Sequence, residues 1–333
     1  MGKEDAGDSN DGQRRELEVG TSRALTNPGG KDFPPLSEMI SRSLANIVAS
    51  NQLITLHRVG DHELHDPDYR QICAWAEETG WSNEEVLNYL LEKGAEVSGG
   101  RFVKLILRRL FISIPQIEGL KVRILDCSQI NLTELDLTPV PNLEQLFCHN
   151  NSLTELDLTP VPNLEELKCF NNNLTELDLN LVPKLEKLTC GNNKLTELDL
   201  TPVPNLVSLA CHNSPTELDL NPVPKLKGLY CSGNSLTELD LNPVPKLKRL
   251  DCSENNLTEL DLTPVSKLEY LRCIENDLTE LDLTPVPKLE KLYCCIDELT
   301  ELDLKPVPNL KFLNYECLDH EWLNDQIFGK PKV

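Results

Sequence analysis

The chain is poor in several things at once. Only 5% of its 333 residues are aromatic, it holds two methionines and six histidines, and its 32 Lys and Arg are outnumbered by 54 Asp and Glu. The resulting net charge of -22 argues against partners that reward a basic surface, namely phosphate backbones and anionic lipid. A neutral or basic partner is expected instead. No apolar run approaches the ~18 residues that would span a bilayer, and the opening MGKEDAGDSNDGQRRELEVG is too polar for a secretory signal. No Ser or Thr stands where a myristoylation site behind Met1 and Gly2 would need one. The expectation is a cytoplasmic protein, with export by a route independent of a signal peptide left open. A glycine-rich phosphate loop and an HExxH zinc sequence are also missing.

What is present is repetition. A block of about 21 residues built on Leu-Thr-Glu-Leu-Asp-Leu recurs nine times, starting at Leu132, Leu153, Leu174, Leu195, Pro215, Leu236, Leu257, Leu278 and Leu299. A fixed period of this size is the signature of a solenoid, in which each coil packs only on its neighbours. The 39% apolar content is enough for a core one coil thick.

Nine of the twelve cysteines occupy one column of the repeat: Cys127, Cys148, Cys169, Cys190, Cys211, Cys231, Cys252, Cys273 and Cys294. Each fills the third apolar slot of Leu-x-x-Leu-x-Cys, so the column reads as core. Stacked strands hold successive Cβ atoms about 4.8 Å apart, beyond the ~3.5–4.5 Å that a disulfide needs. Reduced, buried thiols are expected. A metal ladder fits poorly, because the column offers one ligand per level in an apolar lining, and no metal or other cofactor is expected.

Within one copy, Leu146 and Cys148 should point inward while Gln145, Phe147 and His149 point outward. Asn151 and its counterparts Asn172, Asn193, Asn234, Asn255 and Asn276 can bond backbone groups at the bend, a column broken at Ile130, Ser214 and Asp297. The second half, Leu153 to Leu158, repeats the same alternation, so two short strands per coil are expected. Two prolines in Thr159-Pro160-Val161-Pro162 forbid a regular convex helix and favour an extended, polyproline-like turn. The fold class is a mainly β solenoid.

Four regions follow. Residues 1–33 are too polar to offset ordering entropy and read as a disordered tail. Residues 34–120 read as a helical cap: one helix over Leu36 to Leu53, a second over Pro67 to Glu78 stopped by Gly80, and a third over Asn83 to Lys93. Ser82 with Glu85 makes a capping box for the third, and Gly94 closes it. The apolar stretch Phe102 to Ile114 completes this cap. The solenoid covers 121–316, and 317–333, with Trp322, Leu323 and Phe328, reads as a carboxy-terminal cap.

Leu164, Leu167, Cys169, Asn172, Leu174, Leu177, Asp178 and Leu179 match the pattern LxxLxCxxNxLxxLDLxx slot by slot. On these residues the chain resembles the leucine-rich repeat family, and more narrowly its bacterial nested subclass, IRREKO, over about Val122 to Tyr315. The resemblance implies an arc with a parallel sheet on its concave face and a role in binding protein; it implies no activity. The copy at Cys211-His212-Asn213-Ser214-Pro215 lacks one residue, and a local kink is expected there.

The core columns barely change, whereas the outward residue between Leu and Cys reads Asp126, Phe147, Lys168, Thr189, Ala210, Tyr230, Asp251, Arg272, Tyr293 and Asn314. Neighbouring columns add Tyr270, Phe312, His149, Phe170, His212 and Ile274. Drift among solvated positions is one explanation, but it does not favour aromatics in so aromatic-poor a chain. Exposed aromatics beside arginine are the residue types that anchor interfaces. The candidate protein-binding residues are Phe147, Lys168, Tyr230, Arg249, Tyr270, Arg272, Tyr293 and Phe312.

The opposite wall carries Glu and Asp at fixed slots, from Glu134 and Asp136 to Glu301 and Asp303. Like charges ~4.8 Å apart repel by about 1 kcal/mol per pair in water, so the array must be exposed or neutralised. It reads either as protection against sheet aggregation or as a loose site for Ca²⁺ or a basic partner. Lys184, Lys225, Lys246, Lys267 and Lys288 stand at the neighbouring turn.

Catalytic readings fail on geometry. Cys148-His149 and Cys211-His212 are adjacent, but strand neighbours face opposite sides. Cys317-Leu318-Asp319 resembles the Cys-x-Asp motif of bacterial ubiquitin ligases with leucine-rich repeats, yet fourteen residues after it cannot hold a catalytic domain. Ala76, Gly80, Ser82 and Val86 loosely fit a helix-turn-helix, but a recognition helix beginning Asn83-Glu84-Glu85 would repel phosphate. The expectation is a monomeric, non-enzymatic protein-binding scaffold. The alternatives are a secreted, effector-like host-interacting factor with cation-dependent binding and, behind it, a DNA-binding regulator.

Overall fold

The computed structural model describes residues 56–98, 101–107, 120–213, 217–295, 299 and 302–314. The expected helix over Leu36 to Leu53, the tail over 1–33 and the carboxy-terminal cap over 317–333 lie outside the described residues, as do Ser214, Pro215 and Asp297.

The amino-terminal part opens with a hairpin, β1 (Leu56–Val59) against β2 (His62–His65), turning at Gly60 with φ +56°. Helix α1 (Asp66–Thr79) starts with proline in its first turn and ends on Gly80 at φ 74°, whose N–H donates to the Ala76 carbonyl. Asp68, Gln71, Ile72 and Trp75 form its buried stripe, at the spacing of one helix face. Helix α2 (Asn83–Glu92) begins with the expected capping box. The Glu85 N–H donates to the Ser82 hydroxyl at 3.3 Å, and the Ser82 N–H donates back to the Glu85 carboxylate at 2.8 Å.

The region expected to be helical as a whole is mixed. The run from Phe102, read as part of a helical cap, begins with strand β4 (Arg101–Ile106), paired antiparallel with β3 (Glu96–Ser98) and parallel with β5 (Ile124–Asp126). Phe, Val and Ile fit a pleated surface, and main-chain bonds to the first coil are available only to a strand. Buried Asp68 locks α1 onto β4, accepting from the Phe102 N–H at 2.8 Å and from Arg101 Nε at 2.5 Å. This cap therefore closes the solenoid by extending its sheet as well as by covering its core.

From β5 onward each coil contributes one three-residue strand: β6 (Gln145–Phe147), β7 (Glu166–Lys168), β8 (Lys187–Thr189), β9 (Ser208–Ala210), β10 (Gly228–Tyr230), β11 (Arg249–Asp251), β12 (Tyr270–Arg272), β13 (Lys291–Tyr293) and β14 (Phe312–Asn314). All pair in parallel and in sequence order, with each central Leu opposite the next: Leu146 against Leu167, Leu188, Leu209 and so on. The shortened copy keeps this register, pairing Leu209 with Leu229. The kink expected at Pro215 falls outside the described residues.

The core is as the repeat dictates. Leu143, Leu146, Cys148, Leu153, Leu158 and Val161 are all buried, and so are their described counterparts along the stack, except Leu132 in the first coil and Leu304 and Leu310 in the last, which are half-buried. The nine column cysteines are free thiols in this core. Burial raises their pKa values, those of Cys169, Cys211 and Cys294 to about 12, so they behave as inert hydrophobes. Cys295, just past the column, is disulfide-bonded instead.

Two expectations fail. The second run, Leu153 to Leu158, keeps its inward leucines but forms no strand among the described residues. Main-chain bonds between coils reach only its start, where the Asn173 N–H donates to the Leu153 carbonyl at 2.8 Å. At its end, Asp157 Oδ1 takes the Thr159 N–H at 2.8 Å. The proline segment is likewise not extended: Val161 N–H to Leu158 O at 3.0 Å and Leu164 N–H to Val161 O at 3.1 Å make two successive tight turns. Pro162 sits at the second position of the latter turn, where its fixed φ is favoured. The residue three places after each run's aspartate, as at Pro160, has no N–H to leave unpaired, except Leu181 after Asp178.

The asparagine column is the main polar fastening. Asn172 Nδ2 donates to the carbonyls of Cys169 (2.9 Å) and Cys148 (3.1 Å), while its Oδ1 accepts the Leu153 N–H at 3.0 Å. Asn255 repeats the pattern with Cys252, Cys231 and the N–H groups of Asn234 and Leu236. One amide thus satisfies backbone groups of two coils where strand pairing stops. Two residues after the cysteines from Cys127 to Cys273 the chain takes a left-handed conformation: Gln129, Asn150, Asn171, Asn192, Asn213, Gly233, Glu254 and Glu275 all have φ between 50° and 71°.

Candidate binding face

Because strand side chains alternate, the sheet buries its central leucines and presents the residues on either side. All the outward column residues from Phe147 to Asn314 are half-buried, whereas Asp126, at the first coil, is buried and accepts from Ser128 N–H (3.1 Å) and Oγ (2.6 Å). Asp126 belongs to the cap side and leaves the candidate face.

The eight candidate residues fall into two groups. Phe147 and Lys168 are opposite each other on adjacent strands, with Lys168 Nζ 4.7 Å from the Phe147 ring centre. Beside them His149 stacks on Phe170, with ring centres 4.4 Å apart. Thr189 and Ala210 follow, small and unable to continue the patch. Tyr230, Arg249, Tyr270, Arg272, Tyr293 and Phe312 make the second group. The Tyr270 and Tyr293 rings lie 5.5 Å apart, and Tyr293 and Phe312 lie 5.0 Å apart. Arg272 pairs with Asp251 at 3.5 Å, and Phe312 is 41% exposed, so an aromatic surface stands open to solvent. Tyr230 lies over Gly228, where an added Cβ would meet its ring at 3.3 Å. Burial, with Asp251 and Tyr293 close by, holds the Tyr270 hydroxyl above its usual pKa.

Lying next to these is a column that sequence reasoning passed over. The residue before each strand reads Arg123, Glu144, Glu165, Glu186, Val207, Lys227, Lys248, Glu269, Glu290 and Lys311, acidic from Glu144 to Glu186, basic at Lys227 and Lys248, and mixed beyond. Its signal was legible in the same alignment of copies. In the amino-terminal coils the charges on this side are spent on each other. Arg123 binds Glu144 through two nitrogens, and Glu166 is shared by Lys168 (3.1 Å) and Lys187 (3.2 Å). Burial works to raise the Glu166 pKa, but the two lysines hold it below its ordinary value. A shallow groove of about 450 Å³ is lined by Arg101, Arg123, Glu144 and Lys184, of which Arg101 pairs with Asp68 and Arg123 with Glu144.

The acidic wall has a local explanation. In every described copy the Asp accepts the N–H two residues on, as Asp136 with Thr138 (2.9 Å), Asp219 with Asn221 (2.9 Å) and Asp303 with Lys305 (3.0 Å). Hydrogen bonding by the threonine two residues on, through its hydroxyl first and its N–H second, lowers the pKa of Asp157, Asp199, Asp261 and Asp282. The turn lysines bond asparagines rather than these acids: Lys184 reaches Asn163 at 2.7 Å and Lys225 reaches Asn205 at 2.6 Å. Among the described residues no group of three His, Cys, Asp or Glu is placed to hold a metal ion. Nor, among them, is any helix long and apolar enough to cross a membrane.

Such a frame, one short parallel strand per coil over a Leu, Cys and Asn spine, is a leucine-rich repeat solenoid. The functional domain of InlJ from Listeria monocytogenes, whose solved structure includes a cysteine ladder, is 40% identical over 63% of this chain, with a TM-score of 0.60. YopM from Yersinia enterocolitica is 29% identical over 74% of the chain, with a TM-score of 0.51. The chain spans about half the length of both, 48% and 53% respectively. No protein-family model and no curated protein matches it.

Proposed function

We propose that the protein is a non-enzymatic scaffold that binds another protein through the sheet face, with Phe147, Lys168, Tyr230, Arg249, Tyr270, Arg272, Tyr293 and Phe312 as contact residues. The observation that carries this is the ring cluster of half-buried Tyr270 and Tyr293 with exposed Phe312, set on a frame whose core positions hardly vary. A face kept only for solubility would not gather aromatic rings in a chain with 5% of them. The similarity to InlJ, cysteine ladder included, supports the narrower reading of a bacterial IRREKO-type repeat. Affinity capture from native cells tests the function. A Phe147→Ala/Tyr230→Ala/Tyr293→Ala variant should lose the partner captured by the unaltered protein while keeping its melting temperature. Unchanged capture by the folded variant would show the face to be idle.

A further inference from the structure

The net charge of -22 conceals a basic strip. Lys225, Lys227, Lys246, Lys248, Arg249 and Lys267 are all exposed and occupy three successive coils along one margin of the sheet. Their stacking is fixed by the main chain. The N–H of Lys248 donates to the Lys227 carbonyl at 2.8 Å, Arg249 pairs across the ladder with Gly228, and Lys225 reaches back to Asn205 of the coil before. Of the six, Lys248 alone has a carboxylate partner among the described residues, Glu269 at 2.7 Å. Like charges stacked about 4.8 Å apart repel, so an anion laid along the strip would relieve as well as gain.

We infer that the partner segment taken by this face is an extended acidic peptide with an aromatic or large apolar residue at one end. This rests on the proposed protein-binding role and adds the partner's chemistry to it. The strip runs directly into the Tyr270, Tyr293 and Phe312 cluster on the next coils, so carboxylates and an apolar anchor would meet their complements in one line. From the coil of Lys225 to that of Phe312 there are four steps, roughly 19 Å, the span of about six residues of extended chain. A nucleic acid strand fits less well. It would carry phosphates past both ends of so short a strip, onto Glu269, Glu290 and the exposed acidic wall. The negative total therefore misleads about the site, since recognition answers to the local field.

Fluorescence anisotropy on the full chain tests this, with a labelled peptide of about eight residues made of Glu and ending in Phe-Tyr. Binding should weaken at least about ten-fold between low and high salt as screening sets in. It should be at least about ten-fold weaker for the Gln-for-Glu peptide and for Lys227→Glu/Lys248→Glu/Arg249→Glu. Arg123→Glu/Lys187→Glu, on the paired half of the same sheet, should bind like the unaltered protein. Equal binding by the triple variant or by the Gln peptide overturns the inference. So does no binding at low salt, or displacement of the peptide by an equally charged oligodeoxythymidylate at lower concentration. If the aromatic variant loses its natural partner while the charge reversal keeps it, the scaffold reading stands and the acidic-peptide inference alone falls.

Discussion

The two halves of the sheet face share one frame and differ in almost everything laid upon it. From β5 to β9 Arg123 finds a partner in Glu144, and Glu166 in two lysines. From β10 to β14 the cations at the margin stand mostly unpaired beside clustered rings. Even the left-handed column changes. After Gln129 it is asparagine in the first half, with Asn171 donating to Asn150 and Asn213 to Asn192 at 2.7 Å, and then becomes Gly233, Glu254 and Glu275. Since Leu, Cys and Asn hold the coil, the outward residues can be satisfied internally in one stretch and left unspent in another.

If the frame is indeed common to both halves, the same injury should cost the same in each. Asn172→Ala and Asn255→Ala each strand backbone groups of two coils, and each should cost about 2–4 kcal/mol in denaturant unfolding. A difference of more than about half between them would mean that the halves are not built alike. A smaller change should favour the second half only. Glu254 holds φ at 55° without the tolerance of asparagine, so Glu254→Asn should stabilise by about 0.5–1 kcal/mol, whereas Asn171→Glu should destabilise by a similar amount. Smallest is the ion pair peculiar to the first half. Glu166→Gln should cost about 0.5–1 kcal/mol at neutral pH, discounted because Lys168 and Lys187 are 40% and 57% exposed. The folded pKa of Glu166 lies below its ordinary 4.5, so the stabilisation is complete above that pH and fades as the pH falls through the folded value. Melting curves of the two proteins should therefore converge in acid, and a constant offset down to low pH would dismiss the pairing.

Much of this was legible in the sequence. The period, the cysteine and asparagine columns, the capping box of α2 and the outward aromatics all follow from spacing, because a side chain's direction is set by its place in the coil. The strand content of the second run was not. Leu153, Leu156 and Leu158 alternate as a strand does, yet pairing also requires free N–H and C=O groups opposite one another, and there Asn172 and Asp157 had already claimed backbone donors at both ends. The stretch from Phe102 misled for a related reason, since its partner is the first coil, far along the chain, and apolar spacing does not name a partner. The basic margin was visible but was averaged away by the total charge.

The unbroken register from β5 to β14, held even across the copy that lacks a residue, makes the solenoid a ruler graduated in whole coils. Any two features on its face are separated by a whole number of steps of about 4.8 Å. Gain or loss of one copy would move the paired and unpaired stretches apart or together by one such step and leave the chemistry of each intact.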